Sequence, residues 1–247
     1  MTTSINSASP SYHIRAAELP DVPAMAALSA DGFTTDRNTM VKAMGPDPYD
    51  HKATMEMLLP SWMALDPATR GWTVVAVETA TGEVAGWVSW GRAGYVPRAP
   101  SAEPAPPFDH DEHERKAQAD PDPLARLNRL SGANFKRWMD TKLMPPASGK
   151  ERCLYVSSIS VAPKHQGRGV GQLLAQTGMA EADKDGVEIW VHGSEAAGKL
   201  FPKLGWKVIG TYDLDLDEYA IAPPPNGDAK WGHYVFQYML YTPKPKA

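Results

Sequence analysis

Apolar residues recur along this chain in two rhythms, short β-branched runs and longer stretches at helical spacing. Tyr12-His13-Ile14-Arg15 reads as a first strand, and Pro20-Asp21-Val22-Pro23 followed by Met25, Ala26 and Leu28 predicts a helix with an acidic N-terminal turn. A second helix is predicted over residues 48–65, with Met55, Leu58, Leu59 and Trp62 on one face. Residues 72–77 and 84–90 predict a hairpin across Thr79-Ala80-Thr81-Gly82-Glu83. A stripe of Leu124, Leu127, Leu130, Phe135, Trp138, Met139 and Leu143 predicts a helix over 123–143, placed over a sheet edge or the mouth of a site. Residues 154–161 predict a strand, Val170, Leu173, Leu174, Thr177 and Ala180 a helix ending near Asp185-Gly186, and Val187–His192 a further strand. A short helix then leads to Leu204-Gly205-Trp206, and the strands 207–216 and 233–241 are expected to pair across the loop Pro223–Asp228.

Polar and proline-rich stretches separate these elements. Residues 1–11 read as a frayed tail, and residues 12–247 as a single domain. Residues 91–149 stand apart as an insertion, in which five prolines between Pro97 and Pro107 predict an extended loop. Phe108-Asp109-His110-Asp111-Glu112-His113-Glu114 invites a metal reading, but the spacing is not His-Glu-x-x-His, and a solvated charged face is expected instead. No metal is assigned.

Composition narrows the class. The 247 residues, 43% hydrophobic and 22% charged, suffice for a substantial core. A net charge of −4 gives no basic field for nucleic acid. The sequence has no signal-like N-terminus and no run of about 18 apolar residues, so no membrane association and a cytoplasmic location are expected. The single cysteine, Cys153, excludes an intramolecular disulfide.

The densest chemistry lies in Ile159-Ser160-Val161-Ala162-Pro163-Lys164-His165-Gln166-Gly167-Arg168-Gly169-Val170-Gly171, where a strand passes through a glycine-rich turn into a helix. Glycines permit close backbone approach, and the first N–H groups of the helix offer an anion site, so a pyrophosphate is the expected ligand. A nucleotide P-loop would need Lys-Ser or Lys-Thr after the glycines, and a dinucleotide fingerprint counted from Gly167 would need glycine where Gln172 stands. Gln166, Gly169 and Gly171 instead satisfy Gln-x-x-Gly-x-Gly. In this motif, and in the ordered series His192-Gly193-Ser194, Gly198, Phe201 and Gly205-Trp206, the chain resembles the GCN5-related N-acetyltransferase (GNAT) superfamily, with similarity to fungal and actinobacterial members.

That resemblance, carried by about residues 150–215, implies an α/β (α+β) fold with a mixed, mostly antiparallel sheet flanked by helices. It implies acetyl-CoA as co-substrate, a small-molecule amine as acceptor, and a monomer or homodimer. It places the pantetheine against Ile159, Ser160 and Val161, one of whose amides would face the thioester oxygen, so that Ser160 enters the catalytic group. Gln166, Gly167, Arg168, Gly169, Val170 and Gly171 would hold the pyrophosphate, with Ser194 and Phe201 also at the cofactor. His192 stands where relatives often place a glutamate, and an unperturbed imidazole near pH 6.5 suits deprotonation of an amine. The resemblance is broken at Phe201, since many relatives carry there a tyrosine that protonates the departing thiolate. Tyr212, Tyr219 or water are the alternatives. Cys153 as an acetylated nucleophile with His192 as base is a further route, against which its place at a strand start argues. A GNAT-fold protein that binds acyl-CoA without acetylating an amine is the other functional reading.

Overall fold

The structure, a computed structural model, describes residues 11–46, 48–96, 108–145 and 148–245. Strand β1 (Tyr12–Ala16) leads through a single turn into α1 (Val22–Phe33), α2 (Arg37–Lys42) and α3 (His51–Met63). The hairpin β2 (Gly71–Glu78) and β3 (Val84–Ala93) follows, then α4 (His110–Gln118) and α5 (Pro123–Trp138). The second half alternates as β4 (Cys153–Val161), α6 (Val170–Asp185), β5 (Glu188–Gly193), α7 (Glu195–Leu200), β6 (Lys207–Asp215) and β7 (His233–Tyr241). The strands form one sheet in the order β1-β2-β3-β4-β5-β7-β6. Only β4 and β5 run parallel. This is the mixed, mostly antiparallel sheet that the sequence implied, with β6 and β7 paired as expected.

Each face of the sheet has its own cover. On one face α6 lays Val170, Leu174, Ala175 and Ala182 over Val88, Trp90, Leu154, Val156 and Ile189. Gly178 makes that approach possible, since a Cβ there would stand 2.4 Å from the Trp90 ring. The opposite face carries α1 and α3 over Val75, Val77 and Trp87. Further along it, α5 covers Leu214, Leu216 and Tyr234, while Trp138 stacks on Tyr238 at 4.1 Å between ring centres. Two large rings have their polar edges satisfied inside: Trp87 Nε1 donates to the Met25 carbonyl at 2.9 Å, and Trp90 Nε1 to Thr177 Oγ1 at 3.0 Å.

Two helices were not anticipated. α2 starts at Asp36, whose side chain accepts from the Thr39 N–H, and α4 at Asp109, which accepts from Glu112 in the same way. In α4, acids fill the first turn and bases the last, so the charged run 109–116 is a helix. The helix expected over 123–143 keeps α geometry only to Trp138 and closes as a wider π turn, Met139–Leu143. The expected tail, apart from Ser11, and the proline-rich loop 97–107 lie outside the described residues.

Gly178→Val is expected to cost about 1–3 kcal/mol by overpacking against Trp90, read as a lowered urea midpoint at unchanged slope.

Candidate active site

β4 and β5 pair at only three positions, Cys153 with Glu188, Leu154 with Ile189 and Tyr155 with Trp190. Past Tyr155, β4 follows β3 to Val161 and β5 follows β7 to Gly193, so the two strands part. The β3–β4 register slips at this point, where Ser89 meets Ser158 but Trp90 meets Val156, leaving Ser157 as the extra residue of a bulge. Ala162 N–H donates to the Ala85 carbonyl of β3 at 3.0 Å. Alternation along the ladder therefore turns the backbone of Ser160 toward β3, and those of Ile159 and Val161 toward the opening. Gln166 Nε2 takes the Val161 carbonyl at 3.1 Å. The Ile159 amide and carbonyl and the Val161 amide line a slot that an extended ligand arm can join as an added strand.

At the end of the slot the chain turns through Pro163–His165 into the glycine loop. Gly167 and Gly169 have φ of 71° and 85°, and nothing lies within 4 Å of a Cβ built on either, so backbone conformation requires glycine there. Gly169 caps α6 with no side chain, and the first backbone bond across this turn runs from Leu173 N–H to the Gly169 carbonyl. The N–H groups of Val170, Gly171 and Gln172 thus face outward from the positive end of a 16-residue helix. These features fit a pyrophosphate. Gly171 has a different reason to be glycine: a Cβ would stand 3.2 Å from Leu200 of α7.

Other predicted residues sit near this loop in particular ways. Arg168 is held by Glu78 at 3.4 Å and His165 at 3.3 Å, over the Tyr12 ring. Ser194 caps α7 through the Ala197 N–H. Phe201 has no exposed surface and packs on Trp206 at 4.5 Å, inside the core.

His192 lies on the opposite face of the sheet, among Phe135 of α5 and Phe236 and Tyr238 of β7, with ring centres 4.6–5.1 Å away. Its Nε2 is buried without a partner among the described residues. Burial, aided by the Lys42 ammonium, lowers its pKa from 6.5 to about 4. This corrects the expectation of an ordinary imidazole: His192 is neutral at neutral pH but a weak base. Lys42 itself is pushed below its usual range by burial, and it makes no hydrogen bond or ion pair among the described residues. Ser160 stands on this same face, opposite Trp87 in register. Cys153 is buried, its thiol pushed up to about 11 by desolvation, four residues before the β5 level of His192. That position and protonation argue against the nucleophile route.

A sequence model of the acetyltransferase (GNAT) family matches residues 38–206. The chain belongs to this family. Members use acetyl-CoA, and the enzyme is an acyltransferase. Solved structures of similar fold include a mosquito arylalkylamine N-acetyltransferase-like protein, 19% identical with TM-score 0.56, covering 94% of this chain and 100% of its own. A Drosophila melanogaster polyamine N-acetyltransferase is similar at 16% identity and TM-score 0.58, covering 94% of this chain and 99% of that one. A Corynebacterium glutamicum protein described as a histone acetyltransferase and related acetyltransferase is 18% identical, with TM-score 0.52 over 96% of this chain and 99% of that one.

The structure of this GNAT enzyme brings forward residues that the sequence reading passed over. Ser29 of α1 is buried and touches Ser160, and His51, at the start of α3, touches Ser29. Both occupy core-facing positions of otherwise apolar stripes, Val22-Met25-Ala26-Ser29 and His51-Met55-Leu59, which is the signal that would have found them. Of the acidic-histidine run, His110 meets Asp140 at 3.5 Å and His113 packs on Phe108. Among the described residues, one group with ligand atoms close enough to share a cation comprises Glu78, Glu83 and His165, and its carboxylates already face Arg168 and Lys164. No described helix is long and apolar enough to cross a membrane.

A buried histidine held neutral couples folding to pH. Because the folded pKa lies below the ordinary value, the unfolded chain binds more protons between about 6.5 and 4, and stability falls as pH drops through that window. His192→Phe, which keeps the ring stack, should lose less stability than wild type between pH 7 and 4.5, measured by urea unfolding at both.

Proposed function

We propose that this enzyme transfers the acetyl group of acetyl-CoA directly to an amine of a small molecule. The observation that supports this most is the parting of β4 from β5 next to a glycine loop that opens into the N-terminus of α6. The loop amides of residues 167–171 hold the pyrophosphate, and the arm of the co-substrate runs along Ile159 and Val161. The co-substrate supplies an activated thioester carbonyl. A backbone amide of β4 directed into the slot stabilises the negative charge that grows on its oxygen, an effect whose loss typically costs about 10²-fold or more in rate. The amine approaches from the face that carries Ser160 and His192, where aromatic walls supply apolar contact and the neutral imidazole accepts a hydrogen bond.

The solved structures of similar fold act on arylalkylamines and polyamines by their titles, which makes those amines, with agmatine, a rational first panel. The test is amine-dependent release of CoA thiol. A second reading, acyl-CoA binding without amine acetylation, draws on the aromatic core residue at 201 in place of a tyrosine. Tight acetyl-CoA binding with no thiol release above background for any amine would favour it.

Gly169→Val should weaken CoA by about 10-fold or more, on the order of 1.4 kcal/mol, in calorimetry on the folded variant, because a β-branched residue resists the left-handed backbone that presents the loop amides. Cys153→Ser should retain wild-type turnover.

His192→Ala should lower kcat/KM for the amine by about 10-fold or more through lost contact. Between pH 6 and 9 the shape of the profile should stay unchanged, since this imidazole is already neutral there.

A further inference from the structure

A continuous line of hydrogen bonds leaves the β4 side of the slot and reaches the surface. Ser160 Oγ lies 2.8 Å from Ser29 Oγ, Ser29 Oγ 2.9 Å from His51 Nε2, and His51 Nδ1 3.1 Å from the Tyr49 hydroxyl. The inner end is enclosed, with Ser160 6% and Ser29 0% exposed, while Tyr49 at the outer end is 38% exposed. The line is built by tertiary packing. Trp87 of β3 is the register partner of Ser160 and donates its indole N–H to the Met25 carbonyl, one helical turn before Ser29, which sets α1 over β4. Phe33 covers the His51 ring at 4.5 Å between centres, shielding the inner bond from solvent.

Two serines in contact in a buried setting carry no chemistry of their own at neutral pH. Joined to an imidazole they form a path along which one proton can pass, because each hydroxyl both donates and accepts. We infer that Ser160, Ser29, His51 and Tyr49 form a proton relay that takes the proton from the attacking amine and delivers it to solvent. This rests on the amine-acetylation reading above. As the amine nitrogen bonds to the acetyl carbon and the carbon–sulfur bond breaks, the nitrogen gives a proton to Ser160 Oγ. Ser160 passes its own to Ser29, and Ser29 passes its own to His51 Nε2. The imidazolium then gives its Nδ1 proton to the Tyr49 hydroxyl, which passes its own to water at the surface, and the departing thiolate takes a proton from water. An amine that arrives protonated releases its first proton to solvent by the same path.

The groups facing His51 are Ser29 and Phe33 from α1, Tyr49 and Asp50 ahead of α3, and Asp36 ahead of α2. Burial lowers the His51 pKa, and the two carboxylates partly oppose that, so the imidazole is free to accept at neutral pH. His192, on the same face, is held neutral by burial, and its Nε2 has no hydrogen-bond partner among the described residues.

The test compares wild type with Ser29→Ala, which cuts the line while leaving both ends in place, and with His51→Ala. Each is assayed for kcat and kcat/KM from pH 5.5 to 9 with the best amine of the panel, with CoA affinity measured by calorimetry. We expect kcat to fall by about 10²-fold in both, as for loss of general-base assistance, with CoA affinity unchanged. The alkaline-rising limb should move up by a pH unit or more toward the pKa of the amine, and imidazole in the buffer should restore part of the His51→Ala rate. Folded variants with the wild-type pH profile would overturn the relay while leaving amine acetylation intact. A wild type that binds acetyl-CoA and acetylates no amine would overturn both.

Discussion

The backbone's demand for hydrogen-bond partners governs this molecule. β4 must satisfy its groups on both edges, yet β5 accompanies it for three pairs only, and from Tyr155 onward one edge has no strand beside it. A bare edge inside a sheet, between α1 on one face and α6 on the other, is stable only where a ligand or water completes it. The rest of the architecture keeps that gap open. The bulge at Ser157 bends β4 away, β7 rather than β4 takes the far edge of β5, and the helices on each face are anchored to β3 by the two indole bonds of Trp87 and Trp90. β5 is tied more extensively to β7, by five pairs, than to β4, by three.

The gap also separates two chemistries. On the α6 side the open N–H groups of a helix end make a place for charge. The other side is apolar and aromatic, and the ionisable groups within it are pushed toward neutrality: His192, His51 and Lys42 all have lowered pKa values with burial as the largest cause. A neutral lining suits the proposed amine acceptor, since only an uncharged amine attacks. Lys42 of α2 adds to the effect of burial in holding the His192 imidazole neutral.

Much of the fold was legible from local pattern, because the seven strands and the long helices carry strong periodicity and clear stops at glycine and proline. The glycine loop was legible too, since positive φ at Gly167 and Gly169 leaves a mark in residue type. What escaped was of two kinds. α2 and α4 are short and polar, and their evidence lay in capping aspartates rather than in an apolar face. The Ser29–His51 pair was hidden for the opposite reason, as polar residues within apolar stripes that alone read as small blemishes. Their meaning comes from residues 131 and 22 positions apart meeting in space, and such register is set by packing. The face used by His192 was likewise undetermined until β5 found β7 as its neighbour.

The missing tyrosine at position 201 then takes on a different aspect. Phe201 has no exposed surface and belongs to the packing between α7 and Trp206, so its phenyl ring acts as a structural wedge. Of the alternative phenols, Tyr212 and Tyr219 both pack within the α5 cluster, and burial raises the pKa of each, so each holds its proton more tightly than a free phenol. A simple thiol ionises near 8.5, so a thiolate is a competent leaving group without a strong acid at its side. Proton removal from the amine is the harder demand, since alkylamines are protonated at neutral pH. The buried polar groups are distributed in keeping with the proposed reaction, with the Ser160–Ser29–His51 hydrogen bonds on one face of the sheet and a hydrocarbon ring at position 201.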